Sequence, residues 1–131
     1  MKATSELLEP LKKAKIARDR AYAPYSNFKV GVVIIDSGGD SYLGCNVENS
    51  SYPLSLCAER SAVSSMLLSG YSKIKTVFII GSSDSVCMPC GGCLQVLSEF
   101  GNPTIYCFNQ EGTLYTQNTL RELLPNPFEK S

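Results

Sequence analysis

The sequence predicts an α/β fold, a sheet of mixed strand directions with helices packed on it, and three observations carry that prediction. A β-branched run is followed by a turn signal and a second extended segment, which reads as an antiparallel hairpin. Two later helical stripes each end at a glycine. Short apolar segments follow both stripes, so a crossover helix separates the last two strands and makes them parallel.

Taken in chain order, Ser5 to about Ala23 is expected to be helical. Leu7, Leu8, Leu11, Ala14 and Ala17 recur at helical spacing and Pro24 stops the run. Tyr25, Ser26 and Asn27 form a loop. Lys29 to Asp36 is the first strand, Ser37-Gly38-Gly39-Asp40 the turn and Ser41 to Val47 the returning strand. Cys57 to Ser69 carries Ala58, Ala62, Val63, Met66 and Leu67 on one stripe and ends at Gly70, a left-handed C-terminal position. Thr76 to Ile80 is a wholly apolar strand, Cys90 to Phe100 a further helix ending at Gly101, and Thr104 to Phe108 the last strand.

At 131 residues and 44% apolar composition the chain is expected to form one domain, over residues 1–131, with a real core. Twelve Lys plus Arg balance twelve Asp plus Glu, so the basic excess of a nucleic-acid binder is missing and no nucleic-acid partner is expected. No apolar stretch approaches membrane-spanning length, and the N-terminus runs directly into an amphipathic, charged pattern. A soluble, unprocessed, cytoplasmic protein without a membrane partner is therefore expected, with its six cysteines reduced or bound to metal. The chain contains no histidine, which removes Ser-His and Cys-His nucleophiles and imidazole-bound metals.

The chemistry then rests on cysteine. Cys90-Gly91-Gly92-Cys93 places two thiols three residues apart at the start of a helix, behind Pro89, and Cys57 opens another helix. Unpaired N–H groups and the helix dipole favour anionic sulfur at both places. Three thiolates at two helix starts can converge on one ion. A CxxC pair also fits disulfide exchange, a structural zinc knuckle or buried thiols that only pack. Cys87, with Cys57, Cys90 and Cys93, would make a closed four-thiolate site, which leaves open whether water has a coordination position. Glu59, two residues after Cys57 at the same helix end, favours an open, catalytic site.

Cys57-Ala58-Glu59 and Pro89-Cys90-Gly91-Gly92-Cys93 resemble the zinc signature of nucleoside and nucleobase deaminases. Tyr25-Ser26-Asn27-Phe28, Asn46-Val47-Glu48-Asn49, Cys57-Ala58-Glu59-Arg60 and Leu123-Leu124-Pro125 followed by Phe128 extend the resemblance to the small homotetrameric cytidine deaminases, over nearly the whole chain. The resemblance implies a three-layer α/β/α sheet and hydrolytic deamination of cytidine and deoxycytidine in pyrimidine salvage. It also implies one Zn2+ per subunit on Cys57, Cys90 and Cys93. In the mechanism so implied, zinc lowers the pKa of water, Glu59 takes its proton, hydroxide adds to C4 of the cytosine ring, and Glu59 protonates N3 and the departing ammonia.

By the same resemblance Asn46 and Glu48, which alternate along a strand end, hold the ribose 3′-hydroxyl of a nucleoside substrate. Phe28 packs on the pyrimidine, Ala58 belongs to the substrate-binding set, and Ser50 and Tyr52 contact the sugar end of a neighbouring subunit's substrate. Phe128 enters an adjacent subunit's site, which gives a homotetramer with shared active sites. Three thiolates leave the zinc site with a formal negative charge, and Arg60 occupies the place of an arginine that draws that charge back through hydrogen bonds to the sulfurs. Leu94 and Met88 depart from the family, many members of which carry Arg and Ser there; Cys87, Cys45 and Cys107 read as structural thiols. The ribose pair and the balanced charge argue against an aminonucleoside antibiotic or cytosine in RNA as the substrate.

Overall fold

A computed structural model describes residues 5–70 and 73–130. Helix α1 covers Ser5–Asp19, and strands β1 (Gly31–Asp36) and β2 (Ser41–Cys45) form the hairpin. A single 3-10 turn over Tyr52–Leu54 leads to α2 (Ala58–Leu68) and β3 (Ile74–Ile80). Helix α3 (Gly91–Ser98), strands β4 (Thr104–Phe108) and β5 (Tyr115–Thr119), and a short α4 (Leu120–Leu123) complete the order.

The five strands run in the order β2-β1-β3-β4-β5, with β3 and β4 parallel and every other pair antiparallel. This is the mixed sheet read from the sequence. Strand side chains alternate between faces, and both faces of the central strands are apolar. Val33, Phe78, Ile80 and Phe108 pack with Leu7, Leu11 and Ala14 of α1. Val32, Ile34, Val77, Ile79 and Ile105 pack instead with Ala62, Val63 and Met66 of α2, Leu94 and Leu97 of α3 and Leu120 of α4. One helix on one face and three on the other give the α/β/α layers.

Two glycines let those helices come close. A Cβ on Gly31 would lie 2.1 Å from the Ala14 carbonyl oxygen, and one on Gly44 would lie 2.4 Å from the Ala58 oxygen and the Ala62 nitrogen. A side chain at either would have to push a helix backbone off the sheet. At the far end of the hairpin the buried Asp36 carboxylate accepts from the N–H groups of Gly38 (2.9 Å) and Asp40 (3.0 Å) and from the Tyr42 hydroxyl (2.8 Å). The turn is thus closed by its own first residue.

Several boundaries differ from the sequence reading. Helix α1 ends at Asp19, not near Ala23, because the N–H groups of Arg20 and Ala21 bond back only three residues and Tyr22 N–H turns to the Asn46 carbonyl. Leu8 faces solvent and is not on the buried stripe. Strand β2 stops at Cys45, and Val47 instead pairs singly with Tyr22 and Leu56. Cys57 and Cys90 stand just outside their helices, as N-caps. Pro10 sits inside α1, where it lacks the N–H that would reach Glu6.

Strand β5 and helix α4 were not foreseen. Tyr-Thr-Gln-Asn-Thr has no apolar alternation because it is an edge strand that buries only Tyr115. Helix α4 did leave a signal: Thr119 and Glu122 form a capping box, each side chain bonding the other's backbone N–H.

Candidate active site

The Tyr25–Val30 segment, the stretch from Asn46 to Leu56, the start of α2 and the loop that leads from β3 into α3 enclose a cavity of about 550 Å³. Such crevices outside the carboxyl ends of strands are where open α/β sheets place their ligands. Its floor is the cysteine triad. The Sγ atoms of Cys57, Cys90 and Cys93 lie within 4.8 Å of one another, and among the described residues they are the one such group.

Thiolates bound to zinc at roughly 2.3 Å in a tetrahedron stand roughly 3.8 Å apart, so the donor set fits the ion after sub-ångström to ångström adjustment. The electrostatics ask for a cation. Burial, the neighbouring Glu59 charge and the other two sulfurs push the Cys93 thiol up, out of its ionising range. Cys90 moves the other way, because the Cys93 N–H bonds its sulfur at 3.4 Å. Cys87 lies outside the triad and keeps its proton, pushed up to about 11 by burial and by Glu59. Three donors, not four, leave a tetrahedral ion one free position.

Glu59 is 6% exposed and lines the same cavity. Burial raises its carboxyl above the ordinary range, against its own backbone N–H, a hydrogen bond with Cys93 and the Arg60 charge. Arg60 itself donates to the Ser55 carbonyl at 3.1 Å. Its positive charge is felt at Glu59, while its hydrogen bond goes to the segment before Cys57.

The opposite end of the cavity is polar and already engaged. Asn46 accepts from Val30 N–H at 2.8 Å and donates to the Phe28 carbonyl at 2.9 Å. The Glu48 carboxylate accepts from the N–H groups of Tyr25 (3.0 Å) and Ser26 (3.1 Å) and from the Ser26 hydroxyl. Those bonds, the Ser26 hydroxyl first, hold its pKa below the usual value. Asn27, in the left-handed region at φ 59°, lets the loop double back onto both residues.

Phe28, Asn46, Glu48, Tyr52, Ala58, Glu59 and the three ligand cysteines therefore line one cavity. Ser50 and Phe128 are exposed and line none of it; Phe128 is 76% exposed, its backbone held at N–H and C=O by the Gln95 side-chain amide, both at 2.9 Å. Sequence reasoning missed Ser26 as the partner of Glu48, though it lies within the Tyr25–Phe28 block, and missed Cys87 and Met88 as lining residues. A thiol triad with one open position, beside a buried carboxyl in an α/β crevice, defines the class: a metal-dependent hydrolytic enzyme.

Comparison with known proteins narrows the class. Residues 4–109 match the family described as the cytidine and deoxycytidylate deaminase zinc-binding region, and the chain belongs to that family. The cytidine deaminase of Mycoplasma genitalium is 42% identical over 124 residues, covering 92% of this chain and 94% of that one. That of Sporosarcina psychrophila is 38% identical over 119 residues, 89% of this chain and 87% of the relative. The crystal structure of cytidine deaminase from Burkholderia pseudomallei superposes with a TM-score of 0.87 at 38% identity, over 96% of this chain and all of that one.

Proposed function

We propose that the chain hydrolyses the exocyclic amine of cytidine and deoxycytidine, giving uridine or deoxyuridine and ammonia, as a step of pyrimidine salvage. The observation that carries the reading is the buried Glu59 beside a triad of thiols that fits zinc, on the floor of a cavity whose far end presents Asn46 and Glu48. The names of its relatives support the same substrate.

Cys57, Cys90 and Cys93 would hold the ion. Zinc bound there supplies Lewis acidity that makes water a competent nucleophile near neutral pH. Glu59 would accept one proton of the attacking water on a carboxylate oxygen and deliver it to ring N3, then accept the second proton, from the new C4 hydroxyl, and deliver it to the leaving amine, which departs as ammonia. Burial favours its protonated form, which makes it a readier proton acceptor than an exposed carboxylate. Phe28 flanks the pyrimidine, Ala58 bounds the pocket, and Asn46 and Glu48 receive the sugar hydroxyls at the other end. Arg60 offsets negative charge at Glu59, and the tuning of the sulfurs is the role that the family resemblance implies for it.

In this reading residues 1–131 form one deaminase domain, because both cores share a single sheet. It works as a cytoplasmic homotetramer with one Zn2+ per subunit. Phe128, Ser50 and the exposed Tyr52 serve a neighbouring subunit's site; the apolar ring of Phe128, anchored yet uncovered, supports that role. No helix among the described residues is long and apolar enough to cross a membrane. The test is loss of the cytidine absorbance band with stoichiometric ammonia release, run beside deoxycytidine, blasticidin S and RNA. Turnover of the two nucleosides alone supports the reading; preference for either of the others overturns it.

A further inference from the structure

Arg18, in the last turn of α1, is a cation where helix-end carbonyls favour one. Its guanidinium pairs with the neighbouring Asp19 through Nε at 3.5 Å and reaches beyond the helix with its other end. One nitrogen donates to the Gly81 carbonyl at 3.0 Å and to the Gln110 carbonyl at 2.6 Å, with the side chain only 16% exposed. Gly81 directly follows β3 and Gln110 lies two residues beyond β4. Arg18 thus ties the loop after β4 to the loop after β3, which carries Cys87 and Met88 of the cavity.

Gly81 transmits that tie to the pocket wall. A Cβ there would lie 2.9 Å from the Cys87 Cβ, 3.0 Å from its Sγ and 3.0 Å from Phe28 Cζ. Both side chains line the cavity and rest on the glycine. Ser82, the next residue, donates its hydroxyl to the Lys29 carbonyl at 2.7 Å and accepts the Lys29 N–H at 3.1 Å, so the same loop also grips the residue after Phe28. Arg18 does not line the cavity.

We propose that Arg18 is a positioning residue: it fixes the Gly81–Ser82 loop and through it the Phe28–Cys87 wall, and so sets how tightly a pyrimidine is held. The proposal rests on the cytidine reading for its substrate, and on geometry alone for the wall. An interaction present equally in bound and transition states alters KM and leaves kcat.

The test compares zinc-loaded wild type with Arg18→Met, Arg18→Lys, Gly81→Ala and the Arg18→Met/Gly81→Ala pair. Expected in Arg18→Met is a KM for cytidine about tenfold higher with kcat within about threefold and zinc content unchanged. Cys87 should be alkylated by iodoacetamide several-fold faster, read by peptide mass. Arg18→Lys should recover part of both effects, since an ammonium can still donate to these carbonyls. Gly81→Ala should raise KM by itself, and the double variant should raise it by less than the product of the two, because both act on one wall. Unchanged KM and unchanged Cys87 alkylation in a less stable Arg18→Met overturn the proposal, as does joint loss of kcat and zinc. A wild type inert toward cytidine overturns the substrate reading instead, while the alkylation rates still decide the role of Arg18.

Discussion

The two carboxylates that line the cavity sit in opposite environments. Glu59 is buried beside the thiols and pushed up; Glu48 is wrapped in three hydrogen-bond donors and held down. Burial favours the protonated form of Glu59 and hydrogen bonding the ionised form of Glu48, which supports the proposed division into a proton carrier and a fixed acceptor. Their surroundings also differ in what is left unspent. The thiol cluster brings three sulfurs within 4.8 Å of one another, while Asn46 and Glu48 hold the chain's own Tyr25–Val30 segment.

The largest effect should come from breaking the metal end. Cys90→Ser is expected to lose zinc and with it all measurable deamination, whereas Cys87→Ser keeps one zinc per chain, because Cys87 stands outside the triad. Metal analysis of both purified variants checks this; zinc loss in Cys87→Ser would mean a closed four-thiolate site.

Next in size is Glu59→Gln, which keeps the shape and the metal but cannot move the proton. A fall in kcat of about 10²- to 10⁴-fold with zinc retained is expected by absorbance assay and metal analysis. Near-normal turnover would hand the proton to another group. At the sugar end, Glu48→Ala should act mainly on binding, raising KM about tenfold to a hundredfold and sparing kcat. An equal fall in kcat and kcat/KM there would abolish the division of labour between the ends.

These two ends were not equally legible in the sequence. Cysteine and glutamate at helix starts announce themselves through spacing, since a helix terminus fixes where three consecutive residues point. The convergence of Cys57, Cys90 and Cys93 with Glu59 beside them was therefore legible in the sequence, as were the three central strands β1, β3 and β4 from their apolar runs and the edge strand β2 from the turn before it. The Asn46–Glu48 part of the cavity is built by a loop whose shape depends on Asn27 taking φ 59° and on bonds to Asn46 and Glu48 across about twenty residues of chain. No local pattern encodes such long-range side-chain-to-backbone bonds. Nor does Arg18 differ, in sequence, from any solvated helix arginine. Strand β5 was hidden because an exposed edge needs no apolar period.

The smallest expected effect probes why Glu48 stays ionised. Ser26 supplies the strongest of its donors, ahead of the two backbone N–H groups. Ser26→Ala removes that donor and leaves both N–H groups in place, so the Glu48 pKa should rise toward the ordinary 4.5 but not past it. The native-state pKa of Glu48 lies below that of the unfolded chain, so its carboxylate adds stability at pH values above 4.5 and loses that contribution as pH falls through the native value. Solvent screening keeps the contribution small. The Tm gap between wild type and Ser26→Ala should be widest near pH 7 and narrow below pH 4.5. It should not vanish, since the Ser26 oxygen also accepts Phe28 N–H at 3.0 Å and that bond does not titrate. Melting both proteins across pH 7 to about 3, with a carboxyl-carbon NMR titration of Glu48, separates the two parts. A gap indifferent to pH would show that Ser26 matters only as a brace for the loop, and that Glu48 owes its low pKa to the backbone alone.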